Sequence, residues 1–218
     1  MRIEKLTKRT TIFTIFEACE GFDLHIQLIE GKHRNYVIDT GLGSKSLEPI
    51  LTYLKDSEKE LIVINTHHHY DHIWGNLCFK NHTIIGHRKI LEAIDNDWQR
   101  ATTLFIEWKQ GEIEKVYPNL VFDDCVSFVD DGIEIFYAPG HAGCDIAIYD
   151  AVDQTLNVGD NIGDTPENLV PDLTCDVDTY KASLARYETY KVRHVISGHN
   201  CIMDASVFQK IRQALSNE

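Results

Sequence analysis

A short apolar run, LIVIN at residues 61–65, leads directly into a histidine-rich segment, THHHYDH at residues 66–72. A nearly all-apolar run of this length is typical of a strand that is covered on both faces of a sheet. Imidazole nitrogens and carboxylate oxygens are ligands that zinc and similar transition metals accept. Four such residues in this segment cannot all reach one ion, but they can serve two, and we identify them as candidate ligands: His67, His69, Asp71 and His72. A solvent-exposed polar turn is the plainer alternative.

Three further candidate ligands each stand beside a glycine, at the end of another predicted strand. His141 follows IEIFYA, Asp160 follows TLNV, and His199 follows HVIS. A glycine at these places permits close approach of the backbone. A single residue of this kind in a loop is usually an exposed residue without a function, but three at strand ends indicate a functional site.

Hydrophobic periodicity predicts strands and helices along the rest of the chain. In the first half, strands are predicted at 11–16, 24–30, 35–39 and 83–86, a helix at 44–55, and an irregular helical segment at 87–118. In the second half, strands are predicted at 126–129, 133–137, 145–149, 154–158 and 194–197, and helices at 177–190 and 204–216. Two halves with the same order of strands, helix and strand suggest two similar layers in a single domain over residues 1–218.

Composition excludes several classes of function. The chain has 218 residues and a net charge of −13, which disfavours nucleic acid and anionic membranes as partners. No apolar run approaches the roughly 18 residues of a membrane helix, and no signal peptide is evident, so we expect a cytoplasmic protein. Six cysteines without a CxxC pair are expected to be mostly buried thiols. The sequence has no GxSxG, P-loop or GxGxxG motif, and no organic cofactor is expected.

Taken together, the motifs resemble the metallo-β-lactamase superfamily, and specifically its binuclear hydrolase branch. The matching segments occur in the family's order over nearly the whole chain: IDTG at 38–41, THHHYDH at 66–72, PGH at 139–141, GD at 159–160 and GH at 198–199. The resemblance implies an α/β fold, a four-layer αβ/βα sandwich with the metal site at one edge between the two sheets.

The resemblance also implies a role for each candidate ligand. His67, His69 and His141 would hold the first metal. The second metal would be held by Asp71, His72 and His199, and Asp160 would bridge the two together with a water or hydroxide. The sequence departs from the family after His141, where it reads Ala142-Gly143-Cys144-Asp145.

Several residues near the candidate ligands are given supporting roles. We interpret Asp145 as a turn residue at the start of a strand, with a hydrogen-bond acceptor close to the ligands as the alternative. Asp39 is interpreted as structural or as a partner of a ligand. Cys144 and Cys201 do not match ligand positions and are expected to be buried thiols.

Two divalent ions, with zinc expected and iron or manganese as alternatives, would favour hydrolysis. Two carboxylates and a bridging hydroxide leave net positive charge, which favours an oxyanion developing on a substrate. The expected reaction is therefore attack of the metal-bridged hydroxide on a small ester, thioester or lactone. Asp71 is the candidate catalytic residue, because it can orient the water or protonate the leaving group.

Other functions stay open on the same scaffold. Flavodiiron oxygen reductases are a less favoured alternative, because they carry a carboxylate at the position of His69. They also need a flavin domain. Persulfide dioxygenases keep the histidines and use a single iron. A metal-binding module without activity and a phosphodiesterase or nuclease are further alternatives, although the acidic charge disfavours the last. The helical C-terminal domain of hydroxyacylglutathione hydrolases is expected to be missing here.

Two segments are candidates for the walls of a substrate pocket. One is the turn Cys19–Asp23, with Phe22 at its tip, and the other is the aromatic segment from Trp98 to Tyr117. In that segment Trp98, Phe105 and Trp108 either line the pocket or pack the segment onto the body.

The segment after Asp160 is acidic and has no lysine or arginine before Lys181. If it borders the pocket, it repels polyanions, and a small neutral or singly charged substrate is expected. Its carboxylates are Asp164, Glu167, Asp172, Asp176 and Asp178.

Overall fold

The structure, a computed structural model, describes residues 1–19 and 21–216. It divides into two compact units, Met1–Phe122 and Asp123–Glu218. The single domain expected over residues 1–218 stays a prediction. Among the described residues, no helix is both long enough and apolar enough to cross a bilayer, and the cytoplasmic location also stays a prediction.

The first unit is built on a seven-stranded sheet whose strands lie in chain order. The first four strands pair antiparallel and the last four parallel. The strands are β1 (Arg2–Lys5), β2 (Thr10–Cys19), β3 (Phe22–Glu30), β4 (Arg34–Ile38), β5 (Glu60–Ile64), β6 (Thr83–His87) and β7 (Leu120–Phe122). The predicted strands of this half are confirmed. The sequence did not indicate β1, which is exposed along its whole length and lacks apolar alternation, or the three-residue β7.

Helices connect the parallel strands, as the βαβ arrangement requires. They are α1 (Ser44–Leu54), α2 (Tyr70–Ile73) and α3 (Ile90–Leu104), with two 3₁₀ helices at Trp74–Phe79 and Ile106–Trp108. The helical segment predicted at 87–118 is therefore too long, because no helix is assigned after Trp108 in this unit.

Strand register brings the functional segments of this unit to one edge. Ile38 pairs with Ile64, and Ile64 pairs with Ile85, so β4, β5 and β6 end side by side. Asp39 and the histidine-rich segment 66–72 therefore leave the sheet at the same edge. The last three residues of β5 are buried, as the apolar run LIVIN predicts.

The second unit contains a five-stranded sheet in the order β12-β11-β10-β9-β8. Its elements are β8 (Cys125–Phe128), β9 (Ile133–Tyr137), β10 (Ile146–Asp150), β11 (Thr155–Asn157), α4 (Val177–Tyr187), β12 (His194–Ile196) and α5 (Ser206–Ala214). Only β11 and β12 are parallel. All the predicted strands and both predicted helices of this half are confirmed, with shorter helices.

Register in this sheet aligns three strand ends. Tyr137 pairs with Ile146, and Asn157 pairs with both Ile148 and Ile196. The C-terminal ends of β9, β11 and β12 therefore lie at one edge, and His141, Asp160 and His199 follow these ends. Buried residues of α4 and α5 pack against the sheet and form the core of this unit.

The cysteines differ from the prediction of mostly buried thiols. Cys144 is buried as expected, and Cys19 is also buried. Cys125 and Cys201 are exposed, and the other two cysteines are half-buried. The expectation of a buried Cys201 is wrong because the residue lies in the loop after β12 and not in the strand.

Candidate metal-binding residues

The four candidate ligands of the first unit lie close together where β5 leads into α2. The ring centroid of His67 lies 4.6 Å from that of His69 and 4.1 Å from that of His72. Nε2 of His72 lies 3.3 Å from Oδ2 of Asp71. His67 and His72 are fully buried, and Asp71 is nearly so. The structure therefore brings together the residues that the sequence predicts to act as ligands in this half.

Asp39 supports two residues of this group from the end of β4. Its Oδ2 lies 2.8 Å from Nδ1 of His72. The backbone N–H and the hydroxyl of Thr66 both donate to the same carboxylate at 2.8 Å. Because a carboxylate oxygen accepts, Nδ1 of the His72 ring is the donor in this contact. Asp39 is thus a partner of a candidate ligand, one of the two roles considered for it.

Thr40 and Asn65 both donate to the backbone carbonyl of His72. The side-chain amides of Asn65 and Asn76 donate to each other's oxygens at 3.0 and 2.9 Å. The hydroxyl and the backbone N–H of Thr40 both donate to the carbonyl of His72. Sequence reasoning did not identify Asn76, because no local pattern relates it to the strand end that it supports.

Cys19 contacts another candidate ligand of this unit. Its Sγ lies 3.8 Å from Oδ2 of Asp71, and both residues are buried. The sequence indicated only that Cys19 begins the turn predicted as a pocket wall. Phe22 in that turn is half-buried, and position 20 lies outside the described residues.

The three candidate ligands of the second unit also lie together. Nε2 of His199 lies 3.4 Å from Oδ2 of Asp160, and Nε2 of His141 lies 4.0 Å from the same oxygen. Gly159 reaches this arrangement with a φ of 54°, a left-handed conformation that glycine adopts without steric cost. This backbone conformation explains why a glycine precedes Asp160.

Backbone and side-chain contacts hold the imidazole of His141 in place. Its Nδ1 lies 3.0 Å from the carbonyl oxygen of Asp172, and its backbone N–H donates to Asn161 at 2.8 Å. A Cβ at Gly140 would lie only 2.2 Å from Oδ1 of Asn161. Glycine at position 140 is therefore required by the close approach of the asparagine that holds His141.

Asp145 accepts hydrogen bonds from both sides of His141. Its Oδ2 accepts from the backbone N–H of Gly140 at 3.0 Å and of Ala142 at 2.7 Å. Burial raises the pKa of Asp145 to about 6, although these two hydrogen bonds oppose the shift. The acceptor interpretation of Asp145 is confirmed, and the residue also directly precedes β10 as the turn interpretation expects.

The acidic segment after Asp160 runs beside the His141 turn. In addition to the Asp172 carbonyl at His141, the backbone N–H of Thr174 donates to the carbonyl of Gly140 at 3.0 Å. Asp176 caps α4 by accepting from the backbone N–H of Thr179 at 2.8 Å. The carboxylates of this segment that are exposed belong to Glu167, Asp172, Asp176 and Asp178.

The donor chemistry of both units fits a divalent transition metal. In His72 and His141, an oxygen acceptor holds Nδ1, which leaves Nε2 as the ring nitrogen available to a metal, as in metal-ligating histidines. Each unit also supplies a carboxylate, Asp71 or Asp160, to balance the charge of a cation.

Comparisons with known proteins identify the family. A sequence model of the metallo-beta-lactamase superfamily matches residues 25–199. Acyl-coenzyme A thioesterase MBLAC2 of Homo sapiens is 28% identical over 169 residues, which cover 66% of this chain and 60% of that protein. Hydroxyacylglutathione hydrolase of Gloeothece citriformis is 34% identical over 128 residues, which cover 58% of this chain and 43% of that protein. The chain thus spans less than two thirds of either relative.

Solved structures show the same fold. DIM-1 metallo-beta-lactamase exposed to ceftazidime superposes with a TM-score of 0.74 at 17% identity, over 100% of this chain and 97% of that chain. The metallo-beta-lactamase from Hirschia baltica superposes with a TM-score of 0.70 at 16% identity, over 97% and 96% of the two chains. The predicted metallo-β-lactamase fold is confirmed by these matches. The chain belongs to the metallo-beta-lactamase superfamily.

Proposed function

We propose that this protein is a metal-dependent hydrolase that acts on a small thioester, ester or lactone. The observation that carries the proposal is the pair of histidine and aspartate groups, each placed at one edge of a sheet and held by hydrogen bonds from outside the group. The seven candidate ligands would hold two divalent ions, with zinc expected and iron or manganese as alternatives. They are His67, His69, Asp71, His72, His141, Asp160 and His199.

Two observations favour a small thioester as the substrate. The relatives are named for acyl-coenzyme A and hydroxyacylglutathione, and both compounds are thioesters. The acidic segment beside the His141 turn disfavours a polyanion, because its exposed carboxylates repel negative charge on approach. We therefore infer a thioester whose leaving thiol is neutral or singly charged, unlike coenzyme A, which carries several phosphate charges.

Each group of residues has a defined task in this proposal. When bound, divalent metal would polarise the substrate carbonyl and lower the pKa of a water molecule. Asp39 and the carbonyl of Asp172 keep the rings of His72 and His141 in one tautomer and orientation. Asp71 orients the attacking water or protonates the leaving group. A thiol ionises near pH 8.5 and leaves as a thiolate, so protonation by Asp71 matters less for a thioester than for an alkyl ester.

A substrate panel tests the proposal. Purified protein is supplied with zinc, iron or manganese and assayed with a neutral acyl thioester, a lactone, a β-lactam and a phosphodiester. We expect hydrolysis of the thioester and the lactone, and a loss of roughly 100-fold or more in kcat/KM for Asp160→Asn, since metal centres supply several kcal/mol to the transition state. His33→Ala is the control, because this histidine is exposed in the turn before β4. Cleavage of the phosphodiester alone would contradict the proposal.

A further inference from the structure

Three aromatic rings of the first unit lie nearly parallel to one another. The ring of Tyr70 lies 4.5 Å from Phe105 and 5.9 Å from Trp108, with interplanar angles of 25° and 21°. Phe105 and Trp108 lie 5.4 Å apart at 13°. We call these three residues the aromatic group.

The aromatic group lies next to the candidate ligands in the chain. Tyr70 begins α2 and stands between His69 and Asp71. Phe105 and Trp108 come from the end of α3 and the 3₁₀ helix that follows it. A molecule that contacts these rings would therefore lie beside the residues proposed to hold metal.

Packing of helix α3 onto the core does not by itself explain the aromatic group. Helix α3 already buries Ile90, Ile94 and Ala101, at helical spacings that anchor one face of it. The three rings of the aromatic group stay only half-buried. Leu104 and Ile106 flank Phe105 and are 57% and 43% exposed. Exposed apolar side chains that adjoin half-buried aromatic residues in the chain are candidates for a binding surface.

The cation at the Phe105 ring is paired with a carboxylate. The guanidinium carbon of Arg100 lies 5.3 Å from the centre of the Phe105 ring, and Arg100 also forms an ion pair with Asp97 at 3.0 Å. The cation that contacts the Phe105 ring is therefore paired, and the exposed apolar side chains beside this ring suit a hydrocarbon better than an ionic group.

We propose that the aromatic group binds the hydrocarbon chain of an acyl thioester. This inference rests on the proposed function and narrows its substrate to thioesters with an apolar acyl chain. Each methylene that leaves water on binding should raise kcat/KM roughly fourfold, until the rings are covered. Acetyl and hydroxyacyl groups would gain little from this surface.

A chain-length series tests the inference. We would measure kcat/KM for acetyl, butyryl, hexanoyl and octanoyl thioesters of N-acetylcysteamine, a neutral thiol. The ratio of the octanoyl to the acetyl value should exceed roughly tenfold. In Trp108→Ala and Phe105→Ala this ratio should fall about fivefold or more. Ile106 is exposed, so the Ile106→Asp variant should fold. This variant should lower the octanoyl-to-acetyl ratio in the same way.

Phe16→Ala is the matched control. Phe16 is an aromatic residue of the same unit with an exposed side chain, and the guanidinium of Arg2 lies 5.7 Å from its ring centre. This variant should keep the wild-type ratio. Variants of Phe105 and Trp108 that lose stability but also keep the wild-type ratio would overturn the inference and assign the rings to packing alone.

A binding measurement separates this inference from the proposed function. An octanoyl analogue with a methylene in place of the sulfur cannot be hydrolysed, and its affinity for metal-free protein is measured by calorimetry. We expect binding that Trp108→Ala and Ile106→Asp weaken about tenfold. If the analogue binds in this way while no thioester is hydrolysed, the inferred site stands and the proposed function fails. If thioesters are hydrolysed with the same kcat/KM at every chain length, the proposed function stands and the inferred site fails.

Discussion

Oδ2 of Asp39 lies 2.8 Å from Nδ1 of His72, a residue 33 positions further along the chain. The contact arises because β4 and β5 end side by side, and it joins the end of one strand to the helix that follows the next. Asp39 adopts a φ of 64°, a left-handed conformation that Asp and Asn tolerate better than most residues. The local backbone is thus shaped to present this carboxylate to a candidate metal ligand.

Replacement of Asp39 should weaken metal binding. Asn tolerates the same backbone conformation, so Asp39→Asn should fold, but it loses the negative charge that holds the His72 ring. We expect metal affinity to fall about 10- to 100-fold, measured by competition with a chromophoric chelator. Asp56→Asn, at an exposed position of the same unit, is the control. Equal affinities for both variants would show that Asp39 has only a structural role.

Metal content should be close to two transition-metal ions per chain. Elemental analysis of protein grown with zinc, iron and manganese measures this directly. His67→Ala and Asp160→Ala should each lower the content, because a site of four ligands or fewer is weakened when one ligand is removed. Protein without metal after such growth would refute the ligand assignment. A single tightly held iron without hydrolysis would favour the persulfide dioxygenase alternative.

Asp145 should make the stability of the metal-free protein depend on pH. The carboxyl ionises near pH 3.8 when unfolded and near pH 6 when folded, so between these values the folded state binds more protons. The contribution of Asp145 to the free energy of unfolding therefore falls as the pH rises from 4 to 6, by roughly 2–3 kcal/mol. Urea unfolding of wild type and Asp145→Asn should show that this difference is absent in the variant.

Asp178→Asn serves as the control for Asp145, because Asp178 lies at an exposed position of the same unit. It should retain the wild-type fall in stability between pH 4 and pH 6. A wild-type curve that matches Asp145→Asn across this range would mean that Asp145 does not titrate there.

Salt should affect neutral and polyanionic substrates differently. The exposed carboxylates beside the His141 turn repel an oligonucleotide most strongly at low ionic strength, where the screening length is about 30 Å at 0.01 M. We expect kcat/KM for a neutral lactone to be nearly independent of salt, and cleavage of a short oligonucleotide to be negligible at low salt. Efficient oligonucleotide cleavage at low salt would reverse the conclusion about substrate charge.

The sequence alone determined most of the secondary structure and the identity of the candidate ligands. Apolar alternation indicated strands β2, β3 and β4, and the run LIVIN indicated the buried strand β5. Both patterns are local, because they reflect which faces of a strand are covered by the rest of the protein. His67 to His72 form a compact local motif. The other ligand candidates stand directly after recognisable strands. The elements that the sequence missed, β1 and β7, lack such a pattern.

Only the tertiary structure decided which residues support the ligands. The contact of Asp39 with His72 depends on the register between parallel strands, and that of Asp172 with His141 depends on the path of a long loop. The exposure of Cys201 and the ring contact between Tyr70 and Phe105 also depend on how loops and helices are placed in three dimensions. These contacts join residues that are distant in the chain or lie in irregular segments, so no local periodicity encodes them, and they arise only when strands and loops are placed in three dimensions.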